Sequence, residues 1–403
     1  KINAWRNEKE LFKNSIGLRI PRYKVQDIDN EDIKAVTKAL QSDFLTTGPF
    51  VKKFESAFCK LTKATFTTSC VNGTSALHLA CLAVGIKKGD WVIVPSITFL
   101  ATANAIRFCG AEVLFCDVDE HSGLITQKEL KKAISGAKKA RLNIKAVISV
   151  HLTGKPVDLA GLKEICDQEK LVLISDSCHA LGGIYNGHPI GSCLYEDLNT
   201  FSFHPVKTIT SGEGGAITTN NEEYAHKMVS MRSHGIERRN AHDKWWEYTI
   251  DSLGYNYRMS DIQCALAKSQ LSKVEKFIAK RESLVQLYNS KLSKLKPIIT
   301  IPTSPDKTLV DRVGWHLYSI SIDFEKLGVT RESFMKKLLD KKIKTQVHYI
   351  PVHSQPYYKK RYGLKQLKGS NNYFNKTLSL PLFTKMRSTD VNYVAEQITD
   401  IIT

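Results

Sequence analysis

A single lysine, Lys207, lies between two β-like runs in TFSFHPVKTITSGEGGAITTN, and glycines 212, 214 and 215 follow it. A surface lysine needs no such setting, whereas a lysine that must reach a buried ligand does. Its amine can form a Schiff base with an aldehyde, and partial desolvation lowers its pKa toward the neutral form that attacks. Ser202 and His204 stand just before it, and the glycines permit tight turns or close approach of another group. Two other strand ends carry polar residues directly after apolar runs. In VNGTSAL, a turn of Gly73, Thr74 and Ser75 opens a helix, where free N–H groups and hydroxyls suit a phosphate. In LVLISDSCHA, Asp176 ends a very apolar strand, where a carboxylate serves either as a helix cap or as the partner of a buried cation. Taken singly, each of the last two has an ordinary structural explanation. Taken in order, phosphate turn, acidic strand end and lysine are what pyridoxal 5'-phosphate demands. That cofactor has a phosphate, a ring nitrogen that must stay protonated and an aldehyde that needs an amine.

The elements that must position these residues alternate along the chain. WVIVPS, EVLFCDV, IKAVISVHL and LVLISDS read as strands, and VNGTSALHLACLAVG, TFLATANAIRFCG, TQKELKKAIS and DLAGLKEICDQEK read as the helices between them. Apolar strands separated by amphipathic helices imply an α/β fold, a mostly parallel sheet with helices on both faces. Such sheets bind ligands at the carboxyl ends of their strands. Upstream, DNEDIKAVTKALQ starts with capping residues and places Ile33, Val36 and Leu40 at helical spacing. From Ser260 one long helical stretch is expected, linking the sheet to a small C-terminal α+β domain. The expected organisation is an N-terminal extension over 1–19, a large α/β domain over 20–260, and the linking helix with the small domain over 261–403.

Composition, 42% apolar and 24% charged in 403 residues, excludes a disordered chain. No apolar run approaches the roughly 20 residues of a membrane helix, and no secretory signal is visible. Nine cysteines, without a CxxC, read as free thiols of a reducing, cytoplasmic setting and argue against a zinc site. The net charge of +18 suits a basic surface or a phosphorylated small molecule. No nucleic-acid-binding signature accompanies it, so no nucleic-acid or membrane partner is expected.

The motifs FLTTGPFVKKFE, NGTSALHLA, PSITFLATANAI, SDSCHALGG, FSFHPVKTITSGEGGAI, RSHGI and GYNYRMSDIQCAL together resemble the DegT/DnrJ/EryC1/StrS sugar-nucleotide aminotransferases over roughly residues 20–403. The resemblance implies the aspartate-aminotransferase-like fold of pyridoxal-phosphate enzymes, fold type I. It implies that Lys207 carries the cofactor and that Asp176 partners the ring nitrogen. Gly73, Thr74 and Ser202 would hold the phosphate, and Phe99 would stack on the ring. His179 stands where many members have Gln and would contact the ring hydroxyl. Asn256 would reach the phosphate of a neighbouring subunit's cofactor, so a homodimer is implied. Thr46, Thr47, His348 and Tyr349 become candidate substrate contacts. The loop with Arg238, Arg239, Trp245 and Trp246 is either a cover over the partner's substrate or a packed surface loop.

A branch with histidine at the lysine position dehydrates its substrate, and Lys207 favours amino transfer instead. The segment VHYIPVHSQPYY and the TSGEGG loop most resemble the pseudaminic-acid branch. There L-glutamate supplies the amine to C4 of a UDP-linked 4-keto-6-deoxy-N-acetyl sugar for surface glycan biosynthesis. Alternatives are another 3- or 4-keto nucleotide sugar, a dehydratase-like member, or a non-catalytic protein on the same scaffold.

Overall fold

The computed structural model describes residues 26–237, 244, 246–302 and 309–403. The expected extension over 1–19, together with Arg238, Arg239 and Trp245, lies outside the described residues.

The alternating pattern builds a seven-stranded sheet. In chain order its strands are β1 (Phe66–Cys70), β2 (Trp91–Pro95), β3 (Glu112–Cys116), β4 (Ile144–Val150), β5 (Val172–Asp176), β6 (Leu198–Ser202) and β7 (Gly215–Thr219). In space they run β1-β7-β6-β5-β4-β2-β3. Only β7 opposes its neighbours, and the remaining pairs are parallel. Side chains alternate across a strand, so each central strand feeds two apolar layers. Ile93, Val147 and Leu173 enter one layer with Phe58 and Phe201. Val92, Val94, Ile148 and Ile174 enter the other with Leu77 and Ile106.

Among the described residues, nine helices surround the sheet or lead away from it: α1 (Asn30–Leu40), α2 (Pro49–Thr62), α3 (Gly73–Ala83), α4 (Leu100–Phe108), α5 (Gln127–Lys139), α6 (Leu159–Gln168), α7 (Glu222–Met231), α8 (Asp261–Leu271) and α9 (Val274–Leu292). One expectation is corrected here. The stretch from Ser260 is not one helix. Ser260 caps α8 through a capping box with Gln263, but the chain breaks at Ser272 and Lys273 before α9. The break brings the Lys273 ammonium to 2.5 Å from Asp29 and 2.8 Å from Asp32. The helix expected after Asp29 is there as α1, with Ile33 57% and Leu40 56% exposed and Val36 half-buried. Asp32 faces inward instead, fully buried, accepting from Ser269 Oγ at 2.7 Å and Gln270 Nε2 at 2.6 Å. A paired, hydrogen-bonded carboxylate thus lies on the buried side of this helix.

Beyond α9, β8 (Ile299–Thr300), β9 (Tyr318–Ile322) and β10 (Thr377–Leu380) form an antiparallel three-stranded sheet. With α10 (Arg331–Asp340) and a terminal helix over Ser388–Ile402 it encloses a second core around Tyr288, Phe334 and Val391. Main chain meets main chain where this unit abuts the large sheet. The Gly314 N–H donates to Gly154 O at 3.1 Å, and His316 N–H to Thr153 O at 2.9 Å. A Cβ on Gly154 would strike the Gly314 carbonyl, and one on Gly314 would lie 2.7 Å from Ala180 O.

A helix over Pro356–Tyr362 returns to the far edge of the large sheet. Tyr362 Oη accepts from Val113 N–H at 2.9 Å and donates to Glu112 at 2.7 Å, while Arg361 Nε donates to Glu112 at 2.9 Å. Arg361 above all, then Tyr362 and Arg107, hold the Glu112 carboxyl down to about 2. A depressed carboxylate stabilises the fold above its unfolded pKa of about 4.3, and that contribution disappears as pH falls toward 2. Glu112→Gln is therefore expected to lower stability at pH 7 by about 2 kcal/mol, discounted for the partly exposed arginine. The difference should vanish at pH 2, as read by urea denaturation at the two pH values.

Candidate active site

Strand ends β1, β2, β5 and β6 open onto one cavity of about 500 Å³, which matches the rule for parallel sheets. Each end contributes one part. After β1, Asn72 caps α3 by accepting from Ser75 N–H at 2.8 Å, leaving the first turn of α3 facing the cavity with Gly73 and Thr74. A Cβ on Gly73 would stand 2.7 Å from that of Ser202, so glycine lets the start of α3 close against the end of β6. Gly215 has the same role from β7, since its Cβ would lie 2.5 Å from Asn72 O. The glycine cluster after Lys207 thus provides close approach.

Asp176, at the end of β5, is buried and faces the cavity. Its carboxylate accepts from Thr102 Oγ1 at 2.8 Å and from Cys178 N–H at 3.2 Å. Thr102, on α4, is itself 2.7 Å from the Oγ1 of Thr98 in the loop just before that helix, so a relay of two hydroxyls aims the acid. With Thr102 donating to Asp176, Thr98 must donate to Thr102. Thr102→Val leaves the volume unchanged and removes the donor. The loss of one charged hydrogen bond, about 1.5 kcal/mol, predicts roughly tenfold slower turnover with the fold intact, measured by steady-state rates beside circular dichroism.

Lys207 follows β6 in a turn closed by its own N–H to His204 O at 2.8 Å. It is half-buried and lines the cavity with Asp176 and Cys178. Burial pulls its pKa below the ordinary lysine value, against the opposing pull of Cys178 and Asp176. A lysine on that side of its usual value is readier to act as a base.

His179 Nδ1 accepts from Thr153 N–H at 3.3 Å. The neutral ring therefore carries its proton on Nε2, which faces Tyr349 Oη at 3.3 Å. The His316 ring lies 4.3 Å away, tilted by 35°, closing the wall behind it. Phe99 caps α4 at the mouth, 55% exposed, its ring 6.0 Å from that of Tyr349. His348 also lines the cavity, its Nδ1 2.9 Å from Ser379 Oγ.

Of the residues singled out from sequence, Gly73, Thr74, Phe99, Asp176, His179, Ser202, Lys207, His348 and Tyr349 come together here. The others do not. Thr46 and Thr47 are exposed, and Thr47 lines a separate depression with Arg232 and Arg258. Asn256 is exposed and pairs with Ser233 through the backbone. Trp246 is 54% exposed and outside the cavity lining. Sequence reading missed Thr102 and His316, as well as Gln346, which also lines the cavity. The only signal for Thr102 was a polar residue one helical turn after Phe99 in a small-residue helix.

The donor set fits pyridoxal phosphate. A helix N-terminus kept open by Gly73 suits the phosphate, a buried carboxylate suits the ring cation, and a half-buried lysine suits the aldehyde. Among the described residues, no cluster of side chains is built to hold a metal ion.

Known proteins agree with that chemistry. The UDP-4-amino-4,6-dideoxy-N-acetyl-beta-L-altrosamine transaminase of Campylobacter jejuni serotype O:23/36 is 36% identical over 380 residues, covering 94% of this chain and 97% of its own. The solved structure of Helicobacter pylori PseC, an aminotransferase involved in the biosynthesis of pseudoaminic acid, matches with a TM-score of 0.86 at 29% identity, over 95% of this chain and 99% of that one. A putative sugar aminotransferase of Streptococcus pneumoniae, Spr1654, in its PLP form, matches with a TM-score of 0.85 at 27% identity, over 95% and 98% of the two chains. The seven-stranded sheet is thus that of fold type I pyridoxal-phosphate enzymes. The profile of the DegT/DnrJ/EryC1/StrS aminotransferase family matches residues 26–399, and the chain belongs to this family of pyridoxal-phosphate-dependent sugar aminotransferases.

Proposed function

We propose that the chain moves the amino group of L-glutamate to C4 of a UDP-linked 4-keto-6-deoxy-N-acetyl sugar, for surface glycan biosynthesis. One observation carries the catalytic part: Lys207, Asp176 and the N-terminus of α3 converge on one cavity. The substrate part rests on the names of the C. jejuni and H. pylori relatives, similar over nearly the whole chain.

Pyridoxal phosphate, when bound, supplies the electron sink that stabilises a carbanion at the amino-bearing carbon. The protein's own groups do the rest. Gly73, Thr74 and Ser202 hold the phosphate through backbone N–H groups and hydroxyls. Asp176 holds a proton on the ring nitrogen, and the Thr98–Thr102 relay keeps its carboxylate aimed there. His179 offers Nε2–H to the ring hydroxyl. Phe99, at the mouth, covers one face and keeps water off the reacting carbon. Lys207 Nζ, once neutral, accepts the α-proton of the donor amino acid and later delivers a proton to the sugar carbon that takes the amine. His348 and Tyr349 face the sugar. Asn256, Thr46 and Thr47, which lie outside their own chain's cavity, serve the cavity of a second copy in a homodimer.

The test combines a spectrum with a substrate panel. Protein loaded with pyridoxal phosphate should be yellow, bleach with L-glutamate, and regain colour fastest with the UDP-linked 4-keto-6-deoxy-N-acetyl sugar. A preference for TDP-linked or 3-keto sugars would replace the proposed substrate by another nucleotide sugar. A protein that stays colourless with the cofactor supplied would overturn the catalytic reading.

A further inference from the structure

The segment VHYIPVHSQPYY, from Val347 to Tyr358, crosses between the two parts of the fold, and Tyr349 within it lines the cavity. The part that carries Tyr349 is tied down on both sides. On one side Gln346 and Ser379, the latter on β10, exchange main-chain hydrogen bonds at 3.1 and 2.8 Å, and His348 Nδ1 lies 2.9 Å from Ser379 Oγ. On the other side one residue takes both bonds. Ser96, directly after β2, accepts from Val352 N–H at 2.9 Å through its carbonyl, and its Oγ is 2.5 Å from His353 Nδ1. Ser96 and Val352 are fully buried, and His353 is 3% exposed. The surroundings are apolar: Val352 belongs to the layer of Val94, Ala101 and Ile174, and the His353 ring lies 6.3 Å from that of Phe115. Burial, against the opposing charge of Asp117, holds His353 below the ordinary histidine pKa, so the ring is neutral at pH 7. A buried hydroxyl and imidazole cost free energy unless they bond each other, and two apolar side chains would fill the same space without that condition. What the polar pair adds is direction, because a hydrogen bond fixes distance and angle where apolar contact does not. The function above uses His348 and Tyr349 but neither Ser96 nor His353.

We propose that Ser96 and His353 are positioning residues for the sugar substrate: their hydrogen bond sets where Tyr349 stands in the cavity wall, and neither touches the ligand. This role rests on the reading above, in which Tyr349 faces the sugar. Tyr349 lies between the two anchors, with Oη 3.3 Å from His179 Nε2 and its ring 6.0 Å from that of Phe99. Both neighbours are placed from the large sheet. His179 is held by Thr153 N–H, and Phe99 follows Ser96 by three residues. Ser96 thus stands where two lines of support part. Along its own chain it leads to Thr98, whose hydroxyl begins the relay to Asp176, and then to Phe99 at the mouth. Across space it holds Val352 and His353, and through them the loop of Tyr349. Releasing that loop changes the gap between Tyr349 and Phe99 while the relay keeps its aim. Loss of the pair therefore falls on the seating of the sugar and spares the cofactor chemistry that both substrates share. A misplacement of about 1 Å is enough to be felt at the reacting atoms.

The test uses the full-length, pyridoxal-phosphate-loaded protein and reads the two half-reactions apart. Bleaching follows the glutamate half. Recovery of colour follows the sugar half, with whichever UDP- or TDP-linked keto sugar the parent handles fastest, so an error about the sugar does not count against the pair. Ser96→Ala should raise the sugar KM about tenfold, the worth of one hydrogen bond, and leave the bleaching rate within about twofold of the parent. His353→Leu, of similar volume, should do the same. His353→Asn, whose amide can place a polar atom where Nδ1 stands, should restore most of the loss. In a Tyr349→Ala background, Ser96→Ala should add almost nothing, because the pair acts through that side chain. An unchanged sugar KM in Ser96→Ala with the fold intact by circular dichroism overturns the proposal. So does equal slowing of both half-reactions, or full additivity with Tyr349→Ala.

Discussion

Lys207→Ala is expected to slow amino transfer by at least about 10³-fold, because in the proposed mechanism one group carries both proton transfers and each such contribution is worth roughly 10²–10⁴. No other described side chain at the cavity centre replaces it. His204, three residues earlier, is exposed, and His179 is committed to Thr153 and Tyr349. The pH profile should follow the lysine. Burial lowers its pKa, so the rate rises with pH through a midpoint below the usual lysine value of about 10.4. Stability moves the other way. The native state holds this proton more weakly than the unfolded chain, so Lys207 is unfavourable below its folded pKa. That cost fades as pH rises toward the unfolded value. Without cofactor, Lys207→Ala should therefore unfold at an equal or higher urea concentration than the parent at pH 7. Single-turnover assays with L-glutamate and urea curves check the two halves. A variant retaining a tenth of the parent rate would remove Lys207 from the chemistry.

Asp176→Asn is expected to slow both half-reactions by roughly 10²–10³, the usual loss when one preorganised electrostatic partner is neutralised. The fold should survive, because the amide can keep the carboxylate's neighbours. Its oxygen accepts from Cys178 N–H, and its NH₂ can donate to a Thr102 hydroxyl that turns to accept. Substrate KM should change little, and the spectrum of the bound cofactor should shift. Equal slowing with glutamate and with the keto sugar is the signature, because the ring nitrogen serves both. Slowing of only one half-reaction would place Asp176 at a substrate instead.

Much of this site is legible in the chain because its parts are local. Gly73, Asp176 and Lys207 each follow an apolar strand within a few residues, and strand ends are where parallel sheets bind ligands. Thr102 is harder to see, because its partner lies on another strand and the threonine reads as helix packing. His316 is invisible for a similar reason. It reaches the pocket only because the chain crosses Thr153 and Gly154 through main-chain hydrogen bonds. At α1 the period of Ile33, Val36 and Leu40 marked the helix, and Asp32, which binds Ser269, Gln270 and Lys273, accompanies its buried side. A period of 3.6 identifies a stripe but does not say which stripe a buried ion pair will claim.

The crossing of Gly154 and Gly314 bears on how such an enzyme acquires new substrates. The wall behind His179 and His316 is joined backbone to backbone, so its geometry depends little on which side chains project from it. A change at His316 can redraw the shape and polarity of the cavity wall while the frame that aims Asp176 and Lys207 stays in register. The glycines themselves cannot drift, because any side chain there pushes the two walls apart. Evolution within this architecture is thus channelled: the recognition surface is free to diversify, and two residues without side chains guard the catalytic alignment.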